Sequence, residues 1–264
     1  ANLDLRGILL ANTELSNLDL SGYDLSYANL NHSNLTNCIC SHSKFHETSM
    51  EQAILDECEF IGSDLTEASM NECSAKQAGF GGADLTRASA INAVFEDATL
   101  SKSTLHQADF RAADLTRARL TEANLVDAVF TRATLAESDL KHSDVSGSNF
   151  ELADMKGCRL LGIRNFKKAD WIGADIRDLD LRGAFLVRRY IADENYLFEF
   201  QKTSGFHRLL YLIWRATSDC GRSIFRWFLW LSCAMLVFAA IYTVVDIDYG
   251  GHRTWYSPIY FSVV

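Results

Sequence analysis

Chemistry in this chain would be sought first where reactive side chains crowd together. The densest such place is Cys38-Ile39-Cys40 with His32, His42 and His46 around it, since thiolate and imidazole are the ligands zinc prefers. One residue between two cysteines is not a zinc spacing, and both fall on inward positions of a five-residue pattern, so core thiols are the simpler account. Gly79, Gly81 and Gly82 could suggest a phosphate-cradling loop, but they precede Ala83-Asp84-Leu85 in register and predict a loose turn. His106 and His142 stand alone on outward positions and are expected to be solvated. No G-x-S-x-G, G-x-x-x-x-G-K-[ST] or H-E-x-x-H occurs. The expectation is no enzyme, no catalytic residue, no metal and no cofactor.

The elements that must carry these residues follow from a period of five. Every fifth position from Leu5 to Leu160 gives thirty-two residues, all Leu, Phe, Met, Val, Ala or Cys. Leu115, Leu120, Leu125, Phe130, Leu135 and Leu140 show this core ladder most cleanly. Two residues before each, from Ala28 to Cys158, all twenty-seven positions are Ala, Ser, Thr or Cys. Five matches neither the 3.6 of a helix nor the 2 of a flat strand, so the chain must turn at a short fixed interval with one large and one small residue inward. That is a solenoid, in which each turn is stabilised by its neighbours.

The motif A-[DN]-L-x-x, present as Ala113-Asp114-Leu115-Thr116-Arg117 and Ala123-Asn124-Leu125-Val126-Asp127, resembles that of the pentapeptide-repeat family over residues 1–186. The resemblance implies an all-β, right-handed quadrilateral β-helix with four pentapeptides per turn. Thirty-seven repeats then make about nine turns, a rod about 43 Å long at the ordinary strand spacing. After Leu160 the inward series resumes one residue late, as Phe166, Trp171, Ile176, Leu181 and Leu186, which predicts one inserted residue near Gly162–Asn165. Leu3, Ile8, Leu18 and Tyr23 are large where a small residue is expected, so the first turns should be wider or irregular. Ala1 stands in register with neither initiator Met nor leader, the mark of a fragment whose start lies elsewhere.

The remaining residues are of a different kind. Residues 1–186 carry 17 Lys+Arg against 28 Asp+Glu, and residues 187–264 carry 8 against 6. Residues 187–223 lose the period and predict a helical linker: a short helix capped by Asp193 and ending near Gly205, then the apolar and basic run Phe206–Arg215. That linker is expected to lie at a membrane surface, to cap the open end of the solenoid, or to do both. Residues 224–246 form a transmembrane helix, whose uncharged stretch Trp227–Val245 matches the hydrocarbon thickness of a bilayer. The alternative is a helix buried in a globular body. Arg208, Arg215, Arg222 and Arg226 precede this run and only Arg253 follows, which places the solenoid in the cytosol and the chain in the cell (inner) membrane. The cysteines suit a reducing compartment.

Residues 247–264 are an extracytoplasmic loop in which Ser257 and Pro258 could cap and begin a short pore helix, or else an ordinary tail. Together with the preceding segment they resemble bacterial proteins that fuse pentapeptide repeats to a potassium-channel-like two-transmembrane pore module. That resemblance implies an ion-conducting homotetramer whose filter and second membrane helix would follow Val264. The resulting expectation is a membrane protein with a cytosolic interaction or regulatory rod, partnered by the lipid bilayer, by copies of itself and by an unknown cytosolic partner. The alternatives are an acidic, DNA-mimicking module like the gyrase-protecting relatives, or a scaffold held by one helix. Residues 1–75 carry twelve acids against only Arg6 and Lys44, so no nucleic-acid partner is expected.

Overall fold

A computed structural model of the chain describes residues 4–179 and 183–244. It divides into two units, Ala1–Asn195 and Tyr196–Val264.

The first unit is a solenoid built by accounting for backbone hydrogen bonds, and Ala113–Arg117 shows how. The N–H of Ala113 closes a tight turn onto the Phe110 carbonyl at 3.1 Å. The Asp114 N–H reaches one coil back to Ala93, and those of Leu115 and Arg117 reach one coil forward to Thr134 and Ala136. Only the Thr116 N–H has no backbone partner there, and the Asp114 carboxylate accepts it at 2.9 Å. The small residue lets the turn close, the large one fills the interior, and the Asp or Asn between them takes the fifth N–H. The same bond recurs at Ser26 onto Asp24, Asn31 onto Asn29, Lys141 onto Asp139 and Glu151 onto Asn149.

Parallel bridges one residue wide join positions twenty apart, from Asp4 with Asp24 through Asp144 with Arg164, so each coil takes four pentapeptides. Each turn places one residue in the left-handed region, φ between 52° and 73° along the solenoid. Among the described residues none of the non-glycine side chains there is β-branched, as the crowding of a branched Cβ at positive φ requires. Gly79 bridges Glu59 and Thr99, and Gly82 adopts φ 65°, so the glycine cluster forms a regular corner and not a loose turn.

Leu115, Leu120, Leu125, Phe130, Leu135 and Leu140 are fully buried, with Ala113, Ala118, Ala123 and Ala128 between them. Inward hydroxyls and thiols are satisfied by main-chain carbonyls: Ser63 Oγ donates to Cys40 at 2.6 Å and Ser148 Oγ to Leu125 at 2.7 Å. Phe45, Phe60, Phe80, Phe95, Phe110, Phe130, Phe150 and Trp171 form one unbroken column of rings, centroids 4.5–5.6 Å apart.

The first coils do not widen. Pairing keeps its interval of twenty from Asp4 onward, because register is set by backbone bonds that a larger side chain does not touch. With no coil stacked beneath them among the described residues, Ile8 and Tyr23 are only half-buried and Leu18 is exposed. The inserted residue falls just after Arg164: the pairing interval becomes twenty-one at Asn149 with Asp170, and a 3-10 turn, Phe166–Lys168, absorbs the extra length. That turn aims the Phe166 carbonyl at the Trp171 indole N–H, 2.7 Å away, which lets the ring enter the core with its polar atom satisfied.

Leu186, expected inward, instead lies exposed on helix α1, Phe185–Thr203. The helix begins eight residues before Asp193, which therefore does not cap it. What starts it is burial: Ala184, Val187 and Ile191 join the solenoid core at helical spacing. Tyr190 stacks edge-on to Phe166 and donates to the Lys167 carbonyl, and the Asn195 side chain accepts from the Gly173 N–H at 2.7 Å. This first part of α1 covers the last coil.

In the second unit, α2 spans Gly205–Ser218 and α3 spans Ile224–Val244. Gly205 opens α2 where the sequence suggested the end of the preceding helix. Ser204 caps α2 by accepting from His207, and Ser223 caps α3 by accepting from Arg226 at 3.2 Å.

Replacing Asp114 by Ala strands the Thr116 N–H and is expected to cost about 1–2 kcal/mol. Asn, which keeps the acceptor, should cost less than about 0.5 kcal/mol. Leu125→Ala is expected to cost about 2–5 kcal/mol through the cavity it leaves. Urea midpoints of the purified chain check all three.

Candidate functional site

On the solenoid the geometry separates the reactive groups that the sequence puts together. Cys38 and Cys40 are buried, while His32 and His42 lie exposed on the turns outside. Among the described residues no group of three or more His, Cys, Asp or Glu could hold a metal ion. Burial pushes the Cys73 and Cys158 thiols up to about 12, so they stay protonated and unreactive.

The histidines are structural. His46 Nδ1 lies 2.7 Å from the Thr66 hydroxyl, whose proton goes to Asp64, and Nε2 lies 3.1 Å from Glu47. Hydroxyl, imidazole and carboxylate here staple one coil to the next, with the hydroxyl already committed as a donor. His106 and His142 are not simply solvated. His106 Nδ1 lies 3.1 Å from the Val126 carbonyl, and the His142 ring covers Gly162 so closely that a Cβ there would lie 2.4 Å from its nitrogen. Surface ion pairs also run between coils, as in Arg117 with Asp97 at 2.8 Å and Arg87 with Glu67 at 3.1 Å; exposed pairs of this kind contribute little. A shallow groove of about 490 Å³ opens where Gly79 and Gly81 leave one face without side chains, bordered by Glu57, Glu59, Gln77 and Thr99.

Half of the twelve acids in residues 1–75 are engaged by their own main chain. Asp4, Glu14, Asp19, Asp24, Asp56 and Asp64 each accept a backbone N–H. Asp56 shows a substitution that the sequence did not betray. Where Ser74 replaces the usual Asp or Asn, Asp56 of the coil below accepts both the Ser74 hydroxyl and the Lys76 N–H. Asn31 does the same for Ser49 and Glu51, and Asn71 for Ser89 and Ile91. The signal was present as an Asp or Asn eighteen residues before a Ser, but it is meaningful only once the coil length is known. Asp19, Asp24 and Asp175 titrate below the ordinary carboxylate range because each accepts from the residue two later, first its side chain and then its N–H. The Arg6 guanidinium holds Asp4 down to about 2.

The helical unit offers a different kind of surface. Over Ile224–Ile241, α3 has a mean hydropathy of 2.0, and 6% of that window is buried. By length and composition it is the one helix among the described residues able to cross a bilayer. Trp227 and Trp230 lie in its first two turns. On α2, Phe206, Leu209, Leu210 and Ile213 are exposed, and Arg208 and Arg215 lie on the opposite side. Ser257 and Pro258, expected to begin a pore helix, lie outside the described residues.

The family model described as pentapeptide repeats matches in eight copies, over residues 4–39, 40–71, 78–117, 113–151 and 135–163. Among solved structures the chain is similar to HetL, a pentapeptide repeat protein involved in heterocyst differentiation regulation from the cyanobacterium Nostoc sp. strain PCC 7120. Identity is 29%, over 69% of this chain and 90% of that one, with a TM-score of 0.33. It is also similar to a trypsin-treated variant of QnrB1, a plasmid-mediated fluoroquinolone resistance protein, at 20% identity over 70% of this chain and 96% of that one, TM-score 0.40. A pentapeptide repeat protein of the Arabidopsis thaliana thylakoid lumen shares 20% identity over 45% of this chain and 72% of that one, TM-score 0.28. No curated protein matches.

Because folding lowers the pKa of Asp4, Asp19, Asp24 and Asp175, their contribution to stability is complete above about pH 4, the ordinary unfolded value. It fades as pH falls through the lowered folded values. Urea midpoints followed by circular dichroism should be flat with respect to these groups from about pH 5 to 7 and drop below about pH 4. Asp24→Asn should flatten part of that drop.

Proposed function

The chain belongs to the pentapeptide-repeat family, and on that premise we propose a non-catalytic membrane protein. Its solenoid, a right-handed quadrilateral β-helix, is a binding and scaffold domain in the cytosol, and α3 is the first membrane helix of a potassium-channel-like pore module that assembles as a homotetramer. The observation that carries the membrane part is α3 itself, twenty-one residues with an apolar window that its own unit leaves almost wholly uncovered. At the helical rise it is about 31 Å long, the thickness of the hydrocarbon layer. A core helix of a soluble body would be expected to bury most of such a surface.

The orientation rests on Arg208, Arg215, Arg222 and Arg226 ahead of the apolar run Trp227–Val245, with only Arg253 after it. The pore module rests on the resemblance of residues 247–264, with Ser257 and Pro258 as the start of the pore helix. The rod's role as an interaction domain rests on its membership of a repeat family whose stacked coils present a long continuous surface. Its acids have a structural reason to be numerous, which favours scaffold over DNA mimicry as the source of the charge.

Expressed in bacteria, the full chain should stay in the membrane fraction through sodium carbonate extraction. Leu236→Asp with Phe238→Asp, at about 3 kcal/mol each for a charge near the helix centre, should release it. A wild-type chain found in the carbonate supernatant would overturn the anchor. Crosslinking in membranes is expected to give tetramers; monomers alone would remove the pore module and leave the scaffold.

A further inference from the structure

Helix α2 separates its side chains by chemistry more sharply than the anchor needs. Phe206, Leu209, Leu210 and Ile213 follow the spacing of one helical stripe, and they are 66%, 54%, 39% and 52% exposed. Arg208 and Arg215, two turns apart, share the other side with Tyr211, whose hydroxyl lies 3.5 Å from the Arg215 guanidinium. No Asp or Glu occurs in Gly205–Ser218. A helix with an open apolar stripe, and with no charge but positive on its other side, where the exposed Leu212 stands beside Arg208, fits the boundary between acyl chains and negatively charged headgroups.

The junction with α3 fixes where such a helix would lie. Asp219, Cys220 and Gly221 all take positive φ, and the Asp219 N–H closes α2 onto the Arg215 and Trp214 carbonyls. The Ser223 N–H donates to the Ser218 carbonyl at 2.9 Å. The Trp230 indole N–H then reaches back to the Ala216 carbonyl at 3.1 Å, and Arg226 pairs with Asp219 at 3.8 Å. The end of α2 is thus bonded to the first two turns of α3, the turns that would stand at the headgroup layer of a membrane-crossing helix.

We propose that α2 lies in the interface of an anionic lipid leaflet, its Phe206–Leu209–Leu210–Ile213 stripe among the upper acyl chains and Arg208 and Arg215 against lipid phosphates. This rests on the membrane reading of α3. The occupant is lipid and not a protein groove because the cations, the missing acids and the tie to α3 all point to a charged surface at that depth.

The test reconstitutes the full chain, with Cys220→Ser and Cys233→Ser, into nanodiscs of phosphatidylcholine with or without phosphatidylglycerol. The other cysteines are buried and escape labelling. A spin label at Leu209→Cys should be several-fold less accessible to an aqueous nickel chelate than one at Tyr211→Cys, and more so when phosphatidylglycerol is present. Arg208→Gln with Arg215→Gln should abolish the dependence on phosphatidylglycerol while incorporation stays unchanged. Equal accessibility at both sites, or protection independent of lipid charge and of the arginines, overturns the inference while the anchor stands. A chain that fails to enter nanodiscs removes the membrane reading first and this inference with it.

Discussion

Stacking coils of this size leaves one amide hydrogen per pentapeptide without a main-chain acceptor, and in many pentapeptides an acidic or amide side chain supplies one. In Ala113–Arg117 four N–H groups are taken by the turn and by the adjacent coils, and the fifth by the Asp114 carboxylate. Where an Asp or Asn is present, as at Asp114, its side chain therefore adds to the stability of the coil, by less than the leucine beside it. Part of the rod's acidity serves its own backbone, as at Asp24, Asp64 and Asp114.

The large-residue ladder from Leu115 to Leu140 and its small companions were legible in the sequence because side-chain size, repeated without exception, is a direct image of interior space. The insertion near Asn165 was legible for the same reason, as a slip in that image. The compensation of Ser49, Ser74 and Ser89 by Asn31, Asp56 and Asn71 was not, because it links residues that become neighbours only when a coil closes after twenty positions. Nor was the start of α1: Asp193 resembled a cap, while burial of Val187 and Ile191 drew the helix back to Phe185. The first coils misled through side-chain bulk, since the backbone pairing that sets the register runs unchanged past Ile8 and Leu18.

The two units use opposite means to the same end. The solenoid satisfies every inward polar atom and covers its aromatic column from Phe45 to Trp171 on all sides. The helical unit satisfies its backbone internally and leaves its apolar side chains uncovered, which is the condition a helix meets when its solvent is lipid. Within the helical unit, the hydroxyls of Ser204 and Ser223 hold the starts of α2 and α3.

Three backbone bonds per pentapeptide run between coils, so a lengthwise pull loads a full ring of them simultaneously. A sideways tug on a loose strand end loads them in succession, and the rod unzips. Such a body resists stretching far better than peeling. With Ile191 and Tyr190 laid across the last coil, α1 denies a peel its starting edge at that end of the rod.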